Sequence, residues 1–247
     1  MRFLFFNMRY GSGSGSKFHM PFPLAGYLRS TARNVERIAA FLKSYDPDIV
    51  GLVEIDSGSV MRCARRSQAE EIARALGHYH CYRSKYGPGS LAQAMPFMKK
   101  QGNAILTRED TKAVTCHYFT RGVKRLVLEV ALKDLNVFLV HLSIRYRHRQ
   151  EQLNSLYEML GKMRKPYIVA GDFNAFWGDK EIKLFLAATG LCNASSTHDP
   201  SYPSWAPRHQ LDFILHSPDI AVTHFEVPHV QLSDHFPLVC DFELRKK

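Results

Sequence analysis

The fold that we expect is decided by the stretch Ile168-Val169-Ala170-Gly171-Asp172-Phe173-Asn174. Its three leading apolar residues have the composition of a buried strand, and polar residues follow directly. The segment Ser233-Asp234-His235 repeats this arrangement after the apolar residues 227–232, which we interpret as a second buried strand. Burying a carboxylate without a partner is too costly. We therefore expect both segments at strand ends, where a metal ion and a phosphate would satisfy the polar groups.

Strands and helices are predicted to alternate along the chain. Strands are predicted at residues 2–6, 49–53, 79–83, 104–107, 114–119, 125–132, 137–142, 211–216, 221–227 and 238–242, and helices at residues 31–45, 67–76, 149–163 and 179–188. The order strand, helix, strand at the start predicts a parallel pair, whereas the short polar link 133–136 predicts a hairpin. This mixture predicts an α/β fold with two mixed β-sheets packed face to face and helices outside. No change in composition marks a linker, so we expect one domain over residues 1–247.

Composition restricts the partners and the compartment. A formal net charge of +10 favours an anionic partner such as nucleic acid, a phosphorylated small molecule or an acidic membrane surface, although simple solubility is an alternative. The five cysteines are scattered and lack a Cys-x-x-Cys pair, which favours a reducing compartment over a zinc site or disulfide framework. No run approaches the roughly 20 apolar residues that span a bilayer. We expect a cytoplasmic monomer without a transmembrane segment.

Polar side chains recur at or near the ends of the predicted strands. They are Asn7, Glu54, Asn103, His141, Asp172, Asn174, Asp212, Asp234 and His235. These groups converge if the strand ends face one way. Each residue alone is more often structural than functional, so the prediction of a site rests on their joint occurrence.

Hydrolysis of a phosphate ester needs the residue types that this set contains. A hard cation such as Mg²⁺ prefers oxygen ligands, for which Glu54 is the first candidate and Asp234 the second. The carboxylate of Asp172 suits the preparation of an attacking water. Asp212 suits the role of holding His235 in one tautomer. The candidate donors to the phosphoryl oxygens are Asn7, Asn174, His141 and His235.

Together these segments resemble the endonuclease/exonuclease/phosphatase superfamily, which includes pancreatic-type deoxyribonucleases, sphingomyelinases and inositol polyphosphate 5-phosphatases. The matching pieces follow the family's order and are Phe6-Asn7, Val53-Glu54, Gly102-Asn103-Ala104-Ile105-Leu106, Val140-His141-Leu142, Gly171-Asp172-Phe173-Asn174, Leu211-Asp212-Phe213-Ile214 and Ser233-Asp234-His235-Phe236-Pro237. The resemblance implies a deoxyribonuclease I-like fold, which is a four-layer α/β sandwich. It also implies phosphoester hydrolysis that depends on Mg²⁺ or Mn²⁺, with one or two metal ions as alternatives.

The resemblance also implies a role for individual residues. Carried over position by position, it assigns metal binding to Glu54, help in holding the metal–phosphate end of the site to Asn7, and positioning or activation of water to Asp172. It assigns phosphate contact to Asn174, stabilisation of the transition state to the Asp212–His235 pair, and general acid catalysis to His141. We expect Asp234 as a second metal ligand and Asn103 as a substrate contact.

Nucleic acid is the substrate class that the sequence favours. The basic residues that support it are Arg62, Arg65, Arg66, Lys99, Lys100, Arg145, Arg147 and Arg149. We expect Arg145 to contact substrate because it follows closely after His141, and Trp205 to stack on a base or sugar. Lys124 and Arg125 are expected to be structural.

Two other classes of substrate and one other class of protein stay open. Irregular loops at residues 11–16 and 85–101 adjoin apolar residues that would suit peripheral membrane contact and phospholipid headgroups, namely Phe18, Met20, Phe22, Met95, Phe97 and Met98. Ser16 before Lys17 excludes a P-loop there. Soluble phosphorylated metabolites are the other substrate class. A non-catalytic binding module is disfavoured because every matched position keeps a chemically competent residue.

Overall fold

The computed structural model describes residues 1–14, 31–59, 66–86, 100–122, 124–178 and 180–245. Residues 87–99 of the predicted loop 85–101 and residues 15 and 16 of the loop 11–16 therefore lie outside the described residues. So do the residues to which several sequence predictions refer, which are Phe18, Met20, Phe22, Arg62, Arg65, Met95, Phe97, Met98, Lys99 and Asp179.

Within the described ranges, twelve strands form two six-stranded sheets. In spatial order the first sheet contains β11 (Ile220–Glu226), β12 (Leu238–Leu244), β1 (Arg2–Asn7), β2 (Ile49–Asp56), β4 (Gln101–Thr107) and β3 (Tyr79–Ser84). The second contains β5 (Ala113–Tyr118), β6 (Leu126–Ala131), β7 (Asn136–His141), β8 (Tyr167–Asp172), β10 (Asp212–His216) and β9 (Cys192–Asn193). Each sheet has one parallel pair near its centre, β1 with β2 and β7 with β8. The remaining neighbours are antiparallel, so both sheets are mixed.

Four α-helices are described, and they cover the outer faces of the sheets. They are α1 (Ala32–Ser44), α2 (Gln68–Leu76), α3 (Tyr146–Leu160) and α4 (Lys180–Thr189). Helix α1 buries Val35, Ile38 and Leu42 at helical spacing against the first sheet. The Ser67 hydroxyl accepts a hydrogen bond from the Glu70 amide and caps α2, which ends at Gly77 in a left-handed conformation.

Three apolar clusters separate four layers. The first lies between the two sheets and includes Phe5 of β1 and Leu139 of β7. The second lies between the first sheet and α1 and α2, and the third between the second sheet and α3 and α4. The order helix, sheet, sheet, helix confirms the predicted four-layer α/β sandwich.

Several predicted elements differ from the observed ones: β2 extends three residues further, to Asp56, β4 begins three residues earlier, at Gln101, and the short strand β9 was not predicted. Helix α3 covers Tyr146–Leu160 instead of residues 149–163, and Arg149 is fully buried within it, where its guanidinium pairs with Glu181 of α4 at 2.6 Å. Residues 227–232 do not form the predicted buried strand, since β11 ends at Glu226 and Pro228 has no N–H for a ladder. The Asp234–His235 segment consequently precedes strand β12 and does not follow a strand.

Within the described residues, no helix is both long enough and apolar enough to cross a membrane.

Candidate active site

The carboxyl ends of the two parallel strand pairs meet at one edge of the sandwich. Asn7, His141 and Asp172 are the last residues of β1, β7 and β8. The Asn7 Nδ2 group donates a hydrogen bond of 3.1 Å to Asp172 Oδ2, which links the first sheet to the second. Ends of parallel strands are the usual position for ligand sites in α/β folds. The polar groups therefore converge where the sequence predicted that strand ends would face one way.

A bulge in β2 gives Glu54 its direction. Leu52 pairs with Ala104 and Ile55 with Gly102, so Val53 and Glu54 together lie opposite the single residue Asn103. Glu54 has a φ of +53°, which costs a non-glycine residue about 1–3 kcal/mol. Bulges of this kind redirect side chains beside active sites. Glu54 consequently lies inside the strand, two residues before its end, and not after it as the sequence suggested.

Asn103 has unsatisfied polar atoms at this bulge. Its side chain is buried, and neither Nδ2 nor Oδ1 has a hydrogen-bond partner among the described residues. A buried unpaired amide is costly and uncommon in folded proteins. This amide is thus suited to a ligand.

Asp172 is the most contacted carboxylate of the site. Its Oδ1 accepts from the backbone N–H of Asn174 at 2.9 Å, and its Oδ2 lies 3.1 Å from His141 Nε2 and 4.0 Å from His235 Nε2. Asn174 has a φ of +52°, and its Nδ2 donates to the carbonyl of Leu142 at 2.9 Å. Burial raises the pKa of Asp172, but the neighbouring His141, His235 and Lys124 lower it well below the usual range. The carboxylate is therefore ionised at neutral pH.

Asp212 and His235 form a buried pair next to Asp172. The His235 Nδ1 lies 2.7 Å from Asp212 Oδ2, which also accepts from the Ser201 hydroxyl at 2.5 Å. Burial would lower the pKa of His235, but the carboxylate of Asp212 raises it to about 10. Burial raises the pKa of Asp212, and the facing imidazole of His235 opposes this increase. The pair holds the His235 Nε2 toward Asp172, and the Tyr202 ring packs on the imidazole with centroids 4.8 Å apart.

Lys124 lies close to the other two residues of the centre, His141 and Glu54. Its Nζ contacts His141 Nε2 and lies 3.6 Å from Glu54 Oε1. The same carboxylate oxygen is 3.9 Å from His141 Nε2. Burial raises the pKa of Glu54, but Lys124, His141 and Lys85 together lower it to about 2. Burial and the charge of Lys124 lower the pKa of His141.

The donor atoms of this centre fit a divalent cation. Glu54 offers an ionised carboxylate that remains 18% exposed, and Asn7 and Asp172 offer oxygens beside it. Carboxylate and amide oxygens are the ligands that Mg²⁺ and Mn²⁺ favour. A second possible set comprises Asp172, Asp212 and His235, whose ligand atoms all lie within 4.8 Å of one another. The mutual hydrogen bond of Asp212 and His235 occupies one atom of each, whereas in the Glu54 set Asn7 Oδ1 accepts from the Arg9 backbone N–H at 3.1 Å and Glu54 is partly exposed.

Three other predicted site residues make contacts outside this cluster, although the charge of Asp234 also helps to raise the pKa of His235. Asp234 accepts from the Ser233 hydroxyl at 3.2 Å and pairs with Arg9 Nε at 3.3 Å. Arg145 is exposed at the start of α3 and lines a neighbouring cleft. Trp205 is half-buried on the segment in which the Ser204 amide donates to the carbonyl of Asp234.

The sequence analysis missed two contributors to the site, Lys124 and Ser201. Lys124 was expected to be structural, yet its ammonium lies at the centre of the site. Strand alternation contained the signal, because Lys124 precedes Leu126 and Leu128 by an even number of residues. Leu126 and Leu128 face the space between the sheets, so the same face is expected for Lys124. Ser201 carried no such signal, since its hydroxyl meets Asp212 only through the fold.

Comparisons with known proteins agree with this fold and site. Residues 4–235 match the model of the Endonuclease/Exonuclease/phosphatase family, so the chain belongs to that family, whose members hydrolyse phosphoester bonds. The uncharacterized protein YbhP of Escherichia coli strain K12 is 30% identical over 164 residues, or 58% of this chain. This alignment covers 63% of YbhP, so the chain spans less than two thirds of that curated relative.

Solved structures share the fold at low sequence identity. An endonuclease/exonuclease/phosphatase from Beutenbergia cavernae DSM 12333 has a TM-score of 0.73 at 19% identity, covering 99% of this chain and 72% of that chain. The mannosyl-6-phosphatase Bt3783 of Bacteroides thetaiotaomicron VPI-5482 has a TM-score of 0.72 at 17% identity, covering 99% of this chain and 100% of that chain. At these identities the likeness shows the shared fold alone.

Proposed function

We propose that this protein is a metal-dependent phosphodiesterase of the nuclease type, with nucleic acid as its substrate. The observation that carries the proposal is the buried, ionised carboxylate of Asp172 with the amide of Asn7 and two imidazoles around it. A carboxylate, amides and imidazoles within hydrogen-bonding reach can orient a water and stabilise phosphoryl oxygens.

In this proposal Asp172 positions the attacking water. Its low pKa makes it a weak proton acceptor but a fixed hydrogen-bond acceptor and a negative charge beside the imidazoles. Asn7 and the backbone amide of Asn174 hold the two carboxylate oxygens, so the water would meet a carboxylate that cannot rotate. The Asn174 side chain supports the loop by donating to Leu142.

His235 is proposed to stabilise charge on the phosphoryl oxygens. Asp212 holds its Nδ1 and favours the imidazolium, which leaves the Nε2–H to donate toward the reacting phosphate. A donor already aimed at developing negative charge costs no reorganisation during the reaction. Asn103, with its unpaired amide, is proposed as a further contact to substrate or to its bound cation.

Glu54, assisted by Asn7, is proposed to hold a divalent metal ion, Mg²⁺ or Mn²⁺. When bound, such an ion polarises a phosphoryl oxygen and neutralises part of the charge of the ester. Lys124 Nζ and His141 Nε2 lie 3.6 and 3.9 Å from the same oxygen, Oε1, of the Glu54 carboxylate. We propose that these two groups interact with the leaving oxygen of the ester. His141 is held between Lys124 and Asp172.

Nucleic acid is favoured by the net charge of +10, since phosphate contacts dominate affinity for nucleic acids. Soluble phosphorylated metabolites are the second candidate, because the structurally similar Bt3783 is a mannosyl-6-phosphatase. The same constellation would serve either class, because the substrate is chosen by surfaces around the site.

A substrate panel tests the proposal. Plasmid DNA, abasic-site duplex, single-stranded RNA, sphingomyelin, inositol phosphates and bis(p-nitrophenyl) phosphate are each incubated with Mg²⁺, Mn²⁺ or EDTA. We expect cleavage of a polynucleotide and of bis(p-nitrophenyl) phosphate with metal and none with EDTA. Cleavage of lipid or inositol phosphates without polynucleotide would overturn the substrate class. Full activity in EDTA would overturn the metal dependence, and no cleavage of any ester would leave a binding module.

A further inference from the structure

A basic cleft adjoins the proposed reaction centre. It has a volume of about 490 Å³, and its lining includes Lys85, Lys124, Arg145, His148 and Ser143. The described residues that line it include no carboxylate. This cleft is distinct from the proposed water and metal positions, which lie among Asp172, Asn7 and Glu54.

Lys124 both lines the cleft and belongs to the reaction centre. Its ammonium contacts His141 and lies 3.6 Å from Glu54, while the same residue lines the cleft. An anion in the cleft would therefore lie beside a phosphate bound at the centre. The two groups would be close enough to belong to one molecule.

The walls of the cleft are held in place by a buried glutamine. The Gln152 Nε2 donates to the carbonyls of Arg121 at 3.0 Å and Lys124 at 2.8 Å. Its Oε1 accepts from the backbone N–H of Ser143 at 2.8 Å. One side chain thus joins the segment before β6 to the segment before α3. Preorganised walls lower the entropic cost of binding a ligand.

The opposite side of the cleft is fixed as well. The Lys85 side chain is buried, and its ammonium donates to the Tyr10 hydroxyl at 2.6 Å. It also lies 5.3 Å from the ring centroid of Tyr10 and 5.2 Å from that of Tyr86. Cation–π contacts position an ammonium without cancelling its charge. These contacts hold the Lys85 ammonium at a defined place beside the cleft.

The first turn of α3 adds positive potential to the cleft. Arg145 is the N-cap residue of this helix and His148 lies in its first turn, which contains no acidic residue. The N-terminal end of a helix dipole favours anions. Arg145 is exposed and presents a guanidinium, which forms paired hydrogen bonds to phosphate.

From this arrangement we propose that the cleft binds a second phosphate group of the substrate, next to the phosphoester that is cleaved. The proposal rests on the proposed function of the neighbouring centre and makes it more specific. The preferred substrates carry at least two phosphates, as an oligonucleotide or a bisphosphorylated metabolite does. Arg145 recognises the additional phosphate, and Gln152 positions the two walls around it.

Matched substrate pairs test this inference. The first pair is the dinucleotide TpT and its phosphorylated forms pTpT and TpTp; the second is glucose 1-phosphate and glucose 1,6-bisphosphate. We expect kcat/KM to rise by about tenfold or more with the additional phosphate, the size typical of charge-assisted hydrogen bonds. A preference in the dinucleotides alone identifies a nucleic acid source, and one in the sugars alone identifies a metabolite. Equal kcat/KM within both pairs would overturn the inference.

Two variants distinguish recognition by the cleft from an effect of the overall positive charge. Arg145→Gln removes a cation that lines the cleft, and Arg147→Gln removes an exposed cation of the same helix that does not line it. We expect Arg145→Gln to reduce the preference for the additional phosphate to about threefold or less, and Arg147→Gln to retain it. Equal loss in both variants would show a general charge effect and contradict the cleft.

Binding without catalysis distinguishes failure of this inference from failure of the proposed function. Pyrophosphate and orthophosphate are titrated calorimetrically in EDTA against the wild type and both variants. We expect pyrophosphate to bind more tightly than orthophosphate, and only Arg145→Gln to reduce the difference. If no ester is cleaved but this pattern holds, the cleft stands and the hydrolase proposal fails. If esters are cleaved without preference and the three proteins bind pyrophosphate alike, the cleft fails and the hydrolase proposal stands.

Discussion

At the scale of single residues, the proposed chemistry depends most on Asp172, because two amides and two imidazoles surround its carboxylate. Replacing Asp172 with Asn keeps the shape and removes the charge that would orient the water. We expect kcat for bis(p-nitrophenyl) phosphate to fall by about 10²-fold or more, since misplacing a reacting group can cost about 10²-fold in rate. Asp134→Asn, in an exposed hairpin, is the control and should retain its activity. Full turnover by the Asp172→Asn protein would remove Asp172 from the mechanism.

We expect Glu54 to bind the metal ion. Its carboxylate is ionised above a pKa of about 2, and the bulge directs it into the site. Glu54→Gln removes the charge with little change in volume, so we expect at least a tenfold weaker affinity for the metal, of the size seen when groups around metal sites are removed. The measurements are the Mn²⁺ affinity by electron paramagnetic resonance and the Mg²⁺ dependence of activity. Glu109→Gln, at an exposed position, is the matched control. An unchanged Mn²⁺ affinity in Glu54→Gln would assign the cation to other ligands.

Sequence reasoning placed side chains at strand ends but did not specify their partners. Asn7, His141 and Asp172 each follow an apolar run, and that pattern predicted that they would converge. The pairing of Asp212 with His235 was predicted, whereas the second partner of Asp212 and the partner of Asp234 were not, because Ser201 and Arg9 reach them only through folded loops. Lys124 was missed because a lysine beside a strand is usually solvated, and only its parity with Leu126 indicated otherwise.

At the scale of elements, the close pairing of β7 and β8 holds His141 beside Asp172, and Gly171 permits it. A Cβ at Gly171 would lie 2.1 Å from the carbonyl oxygen of Val140, its neighbour in the register. The strands cannot separate without moving the site, so we expect Gly171→Ala to lower the free energy of unfolding by about 1–3 kcal/mol or more. Urea denaturation measures this loss.

The control for this prediction is Gly161→Ala. Gly161 follows α3 with a helical φ of −59°, and a Cβ there would meet its nearest atom at an ordinary 3.6 Å. We expect a change in unfolding free energy within about 0.5 kcal/mol. Equal stability of the two alanine variants would show that the sheet absorbs the additional methyl group.

The elements that were predicted least well depend on interactions between elements. Helix α3 begins three residues early, and Arg149, which reads as a surface residue, is buried within it with Glu181. An apolar composition at residues 227–232 suggested a strand, but Pro228 and the lack of a neighbouring strand left it irregular. Amphipathic spacing, by contrast, was sufficient for α1, whose predicted ends differ from the observed ends by one residue.

At the scale of the whole molecule, local patterns predicted the two mixed sheets but not the strand order. The last strand, β12, inserts beside the first strand, β1, and separates it from β11. This pairing joins residues that are 239 positions apart, for which the sequence has no local signal. It also makes the first sheet depend on both ends of the chain, and we propose that the chain unfolds as one domain.

The ion pair that joins these two ends predicts how stability depends on pH. The Arg2 guanidinium donates to both carboxylate oxygens of Asp241, at 2.6 and 2.7 Å. These hydrogen bonds lower the pKa of Asp241 in the folded protein. A lowered pKa contributes stability that is complete above the unfolded value of ~3.9 and is lost as the pH falls through the folded value.

We therefore expect the wild type to be more stable than Asp241→Asn at pH 6–7, with a difference that narrows progressively below about pH 4. Urea denaturation over this pH range measures the difference, and Asp110→Asn, at an exposed position, controls for the loss of one carboxylate. The salt bridge is partly exposed, so high ionic strength should reduce the difference as well. A difference that stays constant from pH 7 to pH 3 would mean that Asp241 stabilises the β1–β12 pairing through packing and not through its charge, and two separate unfolding transitions would contradict a single domain.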